Sequence, residues 1–263
     1  MTPDTVFVRD GEHFEATELA RGPWDPQALH GGAPAALLVH AFERCSPQPD
    51  LHLARVTYEF VRPVPLGRLL VSTEVVRPGR RVMLLEGSIH DQAGTEVVRA
   101  RALRVRPSEL DALTTGSGLG TPFPGPEQGR ANDMGGSGLA MFSTEAMEIR
   151  FVEGEFSRPG PATAWFRLRR PLVAGEPISP FELVAAAGDF GNGIASVLSW
   201  DEHVFINPDL TLYLEREPRG EWVALQSEMR VARGSAAVAE SVLWDHDGRI
   251  GRASQVLLVG RLT

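Results

Sequence analysis

Displaced by 154 positions, residues 55–105 fall on residues 209–259 without a gap. The displacement matches Thr57 with Thr211, Arg62 with Arg216, Glu74 with Glu228 and Glu86 with Glu240, and it superposes the turn Asp91-Gln92-Ala93-Gly94 on Asp245-His246-Asp247-Gly248. Turn residues set the register of the strands they join, so coincident turns weigh more than the few identities do. A chain with this internal correspondence folds as two copies of one unit.

Each copy reads as a helix followed by four strands. In the first, a helix is predicted over 34–45 and strands over 53–61, 68–77, 82–90 and 96–105. In the second, a helix begins at Ser179 and strands cover 205–215, 221–231, 237–244 and 250–259. Short Gly-containing turns join the strands, which makes them antiparallel. Val56, Tyr58 and Phe60 alternate with Arg55, Thr57 and Glu59, the period of a sheet whose faces meet different surroundings. The second helix has Ser179 to cap it, Pro180 at its first position and Glu182 to complete a capping box, and its interior is apolar nearly all round. The fold class is therefore α+β, with each helix buried against an antiparallel sheet. Between the copies, 117–138 is rich in Gly, Pro and Ser with no hydrophobic period. This divides the chain into an N-terminal unit (1–110), a linker (111–142) and a C-terminal unit (143–263).

Composition removes several chemistries. All 26 basic residues are Arg, so no Schiff base, pyridoxal attachment or Walker-type phosphate lysine is available. A net charge of −8 disfavours binding to nucleic acid, which calls for a basic face. The single Cys45 excludes an internal disulfide framework and a multi-thiolate metal site, and the seven His lack zinc spacing. No metal and no cofactor is expected. Residues 1–9 carry no basic stretch leading into an apolar run, and the apolar run at 33–39 is far too short to span a bilayer. The expectation is a soluble, cytoplasmic chain without a membrane partner.

Four features could carry chemistry. Leu29-His30-Gly31-Gly32 precedes the first helix, where free N–H groups can meet an oxyanion or phosphate; equally, it is a glycine turn into a helix. Asn207-Pro208-Asp209 places a carboxylate at a strand start, and is also good turn chemistry. Gln255 is an amide in an apolar run and needs partners, which the sheet itself could supply. Asp189-Phe190-Gly191-Asn192-Gly193 interrupts an apolar helix, either as a kink or to admit a ligand. The displacement by 154 sets Arg55 against Asp209 and Arg101 against Gln255, so the polar pair exists in one copy only and implies one site per chain.

The runs LHGGAPAALLVHAFE, ARVTYEFVRPVPLGRLLVSTEVVRPGRR, AGDFGNG and NPDLTLYL resemble the type II acyl-CoA thioesterase family of the hot-dog superfamily, over essentially the whole chain except the linker. The resemblance implies a double hot-dog, in which each sheet wraps its helix and the sheets join into one surface. It implies hydrolysis of an acyl-CoA to free acid and CoA without a cofactor, through an Asp, a Ser or Thr and a Gln around a water. By position these are Asp209, Ser227 and Gln255, with His30, Gly31, Gly32, Asp189 and Asn192 as substrate-binding residues. A homo-oligomer is expected, because hot-dog sheet edges usually pair, and Arg side chains should rim the site to meet CoA phosphates, with Arg55 and Arg101 as the first candidates. Two other readings stay open: a catalytically silent acyl-CoA binder, and a hydratase or dehydratase using His30.

Overall fold

The computed structural model describes residues 4–107, 120–131, 138–233 and 236–262. The first copy comprises strands β1 (Phe7–Asp10) and β2 (His13–Ala16), helix α1 (Gly32–Arg44), and strands β3 (His52–Phe60), β4 (Gly67–Arg77), β5 (Val82–His90) and β6 (Glu96–Val105). A two-residue strand β7 (Arg130–Ala131) precedes the second copy. That copy comprises β8 (Met147–Glu155), β9 (Arg158–Leu168), α2 (Pro180–Gly188), a short α3 (Gly191–Ile194), β10 (His203–Ile206), β11 (Asp209–Leu214), β12 (Val223–Val231), β13 (Ala237–Asp245) and β14 (Gly248–Arg261). The hairpins β1–β2 and β8–β9 were absent from the sequence reading. They extend the repeat, since a hairpin now precedes the helix in both copies.

The two copies share a single 14-stranded antiparallel sheet, ordered β1-β2-β4-β5-β6-β3-β11-β14-β13-β12-β9-β8-β7, with β10 beside β14. Read from either side of the β3–β11 junction, the order is the same, which makes the junction a pseudo-twofold. Thr57 and Thr211, the residues matched by the displacement of 154, lie directly opposite each other across it, with their Oγ1 atoms 3.4 Å apart. The repeat thus predicts its own axis. Of the expected linker, the described parts include a single helical turn at Pro126–Gln128, β7, and a turn at Phe142–Ala146 leading into β8; residues 108–119 and 132–137 lie outside the described residues.

Alternation drives burial. In β5, Met83, Leu85 and Ile89 face inward, and in β13 Ala237, Ala239 and Leu243 do the same. α1 is buried from Gly32 to His40 and packs against β4, β5 and β6, whereas α2 packs against β9, β11 and β12. The two helices run side by side in opposite directions. Gly32 in the first turn of α1 meets Ala186 near the end of α2, and at the far end His40 of α1 meets Glu182 in the first turn of α2. Glycine is required at position 32 because a Cβ there would stand 2.4 Å from Ala186 O, a backbone atom with nowhere to go. Gly32→Ala should therefore lower stability by about 1–3 kcal/mol, the usual cost of overpacking. A thermal midpoint unchanged from wild type would show that the helices can separate freely, contrary to this packing.

Candidate active site

The single strand expected over 205–215 is broken. Pro208 has no N–H to give to a ladder, and the chain changes register there: the five steps from Ile206 to Thr211 face only four on β14, from Leu258 to Ser254. One extra residue re-aims the side chains on either side of a bulge. Phe205 points inward, Asn207 follows it, and beyond Pro208 it is Leu210, Leu212 and Leu214 that are buried. Asp209 therefore falls on the outer face with Thr211 and Tyr213, while Gln255 faces inward with Ala253 and Leu257.

The Asp209 carboxylate accepts from the Val256 N–H at 2.7 Å. Burial raises its pKa above the ordinary carboxylate value, and that backbone hydrogen bond opposes the rise. It neither touches Gln255 nor lines the cavity described below. Asp209 and Gln255, paired by the sequence reading, are thus held apart by the pleat of the sheet.

Gln255 instead meets Asp189. The residue is 2% exposed; its Nε2 donates to Asp189 Oδ1 and to Asp189 O, both at 3.2 Å, and its Oε1 accepts from the Asn192 N–H at 3.2 Å. Asn207 Nδ2 donates to the same Asp189 Oδ1 at 2.8 Å. Asp189 Oδ2 lies 3.1 Å from His30 Nδ1, and the His30 ring stacks on Phe190 at 4.3 Å. Asp189 is the C-terminal cap of α2 and abuts the start of α1, where a Cβ added to Gly31 would be 2.7 Å from Oδ2. A carboxylate at a helix N-terminus is favoured by the local dipole. Antiparallel packing of α1 and α2 thus delivers the carboxylate to the Gly31-Gly32 turn.

Four expected residues therefore assemble around Asp189: His30, Gly31, Asn192 and Gln255. Gly32 joins them through its N–H, which donates to His30 Nδ1 at 3.1 Å. Ser227 is nearby but shielded. Its Oγ pairs with Ser241 Oγ at 2.7 Å, and α3 lies across both, since a Cβ at Gly191 would stand 2.6 Å from Ser241 Oγ. Asn207 is the residue the sequence reading missed in this role. Its signal was the proline immediately after it, which stops regular pairing.

Above the carboxylate lies a cavity of about 900 Å³. His30, Gly31, Asp189, Asn192 and Asn207 stand in its lining, and its wall includes the aromatic side chains of Trp24, Phe60, Phe156, Phe190, Trp200 and Phe205. Arg62 and Arg130 also line it, whereas Arg55 and Arg101 do not. Arg101 is paired with Glu86. Arg130 bonds Gly154 O and stands near Glu155, but the Arg62 guanidinium has no partner among the described residues. The repeat sharpens this difference: Arg216, the counterpart of Arg62, grips Asp245 of the repeated turn with both terminal nitrogens. In the first copy that grip is absent and the Arg borders the cavity. Among the described residues no cluster could hold a metal ion, and no helix is long and apolar enough to cross a membrane.

Comparison with known proteins agrees with this architecture. Residues 20–105 match the model for an acyl-CoA thioesterase N-terminal domain, and residues 119–259 match that for an acyl-CoA thioesterase C-terminal domain. No curated protein matches the chain. Among solved structures it is similar to a candidate thioesterase II from Thermobifida fusca YX, at 19% identity and a TM-score of 0.76, covering 98% of this chain and 96% of that one. It is also similar to a hot-dog protein from Alicyclobacillus acidocaldarius, at 14% identity and a TM-score of 0.75, covering 99% and 97%. A third likeness is the acyl-CoA thioesterase II TesB2 from Mycobacterium marinum, at 14% identity and a TM-score of 0.66, covering 97% and 94%. With both halves matched by paired domain models, the chain belongs to the acyl-CoA thioesterase family, and over its whole length it shares the fold of the hot-dog structures it matches.

Proposed function

We propose that this chain hydrolyses an acyl-CoA thioester to free acid and CoA, with Asp189 as the group that activates water. The observation that carries the reading is the Asp189 carboxylate clamped by the amides of Gln255 and Asn207 at the base of an apolar cavity. A carboxylate offers roughly four acceptor sites. Gln255 and Asn207 use two of these on Oδ1 and leave Oδ2, beside His30 Nδ1, open to a water. The clamp fixes the carboxylate so that a water held there meets the thioester carbon along one direction, which is where a positioned base gains its advantage.

The thioester oxygen would lie toward the start of α1. The Gly31 N–H has no acceptor among the described residues, and the absence of a side chain lets an acyl group approach it closely. The aromatic wall takes the acyl part. Arg62, released from the structural pairing kept by its counterpart, supplies a cation for a CoA phosphate despite the net charge of −8. Neither a cofactor nor a covalent intermediate is required. The accompanying fold reading is a double hot-dog, with units 1–110 and 143–263 about the 111–142 linker, working in the cytoplasm as a homo-oligomer. Asp189 thus takes the part that the sequence reading gave to Asp209, and Asn207 the part it gave to Ser227.

The test is thiol release. Incubated with short, medium and long acyl-CoAs, the protein should liberate free thiol from at least one class. Binding without thiol release across the panel would favour the silent binder. Because the His30–Asp189 contact would also suit a hydratase, an enoyl-CoA belongs in the panel; loss of its conjugated absorbance with no thiol released would favour that reading.

A further inference from the structure

His30 has a face that the clamp does not use. Its Nδ1 is occupied on two sides, accepting from the Gly32 N–H at 3.1 Å and lying 3.1 Å from Asp189 Oδ2. Stacking on Phe190 at 4.3 Å fixes the plane of the ring. Its Nε2, by contrast, has no hydrogen-bond partner among the described residues, and the residue lines the cavity. An imidazole whose Nδ1 accepts from a backbone N–H carries its proton on Nε2. The geometry therefore directs an N–H donor into the cavity from the ring whose other nitrogen touches the water-activating carboxylate.

We infer that His30 is the acid of the reaction, giving its Nε2 proton to the sulfur as CoA leaves. The inference rests on the hydrolytic reading above. In the step, the water oxygen forms the new bond to the thioester carbon and its proton passes to Asp189. The carbon–sulfur bond then breaks, and the departing thiolate takes the proton from His30 Nε2. Asp189 returns the proton it gained to His30 Nδ1, which already faces Oδ2. Every proton is accounted for: the imidazole ends as its other tautomer and resets by exchange with water through the open cavity. Asp189 and His30 thus form one relay from attacking water to leaving sulfur.

The test varies the leaving thiol while the acyl group is held constant. One ester carries N-acetylcysteamine, an alkyl thiol whose departure benefits from a proton; the other carries 4-nitrothiophenol, a far more acidic thiol that leaves without one. His30→Asn keeps a polar atom near the place of Nδ1 and removes Nε2. Its kcat on the alkyl thioester should fall by about 10²-fold, the lower end of what a positioned acid contributes, while its kcat on the nitrothiophenyl ester stays close to wild type. The retained activity also serves as the check that the variant is folded. An equal fall on both esters overturns the acid role and leaves the hydrolytic reading intact, because a residue that merely steadies Asp189 affects both alike. Wild-type protein that hydrolyses neither ester nor any acyl-CoA removes the hydrolytic reading and this inference together.

Discussion

Asp189→Asn should lower kcat/KM for thiol release by about 10²–10⁴-fold, the range a positioned general base contributes, whereas Asp209→Asn should leave it close to wild type. The substitution at 189 is nearly isosteric, so the cavity and the antiparallel helix contact persist. What changes is the group at their junction. An amide cannot take a proton from water, and either its oxygen or its nitrogen must now face donors that the carboxylate oxygen had accepted: Asn207 Nδ2 at 2.8 Å and Gln255 Nε2 at 3.2 Å. At 209 the lost oxygen faces only the Val256 N–H on the outer face of the sheet, an acceptor role that an Asn side-chain oxygen can keep. Steady-state thiol release by the two variants, over matched acyl-CoA concentrations, decides between the two carboxylates. A loss carried by Asp209→Asn, with Asp189→Asn active, would restore the strand-start carboxylate as the base and remove the clamp from the mechanism.

The contrast between those two residues marks how far the sequence could be read. The repeat was legible because turns and alternation are local, and the four strands after each helix fall within a few residues of their expected places. The start of α2 was equally legible: Ser179 Oγ accepts from the Glu182 N–H and the Glu182 carboxylate accepts from the Ser179 N–H, both at 3.0 Å. The hairpins β1–β2 and β8–β9 were not, because β1 and β2 are only four residues each and β9 is buried over a continuous run from Ala162 to Phe166, which shows no alternation. In the site, Gln255 was found because an amide in an apolar strand must be satisfied, and Asp189 because polar residues broke an apolar helix. The pairing of Gln255 with Asp209, where the structure sets it against Asp189, had a definite cause. That pairing rests on the family resemblance and the displacement of 154, neither of which says on which face each side chain lies, and beyond the one-residue bulge at Pro208 the structure puts Asp209 outward and Gln255 inward. Asn207 was hidden by the same bulge.

Glu182→Leu should be among the most destabilising single changes outside the active site, costing about 2–4 kcal/mol from an unpartnered buried polar group together with a lost helix cap. The pseudo-twofold gives the reason. The junction between the end of α2 and the start of α1 is open and holds Asp189; its counterpart, between the end of α1 and the start of α2, is closed. There His40 and Glu182, each 1% exposed, meet at 2.8 Å between Nδ1 and Oε1, and Ser179 Oγ donates to Glu43 at 2.6 Å. Arg104 seals the end of α1 through Cys45 O, Ser46 O and Phe42 O. Filled in this way by side chains, the second junction fits the proposal of one site per chain. Leu at 182 would leave His40 Nδ1 without its partner, when Nε2 already makes no hydrogen bond and only stands 3.7 Å from Glu176 Oε2, and would remove the acceptor for the Ser179 N–H. Denaturant unfolding of Glu182→Leu, His40→Leu and the double variant measures the coupling. The double variant should be more stable than the sum of the single losses implies, because two apolar side chains can occupy the place of a hydrogen-bonded pair. Strict additivity would mean that the two side chains do not depend on each other. Below its melting temperature Glu182→Leu should keep a kcat close to wild type, since the clamp on Asp189 lies at the opposite end of both helices.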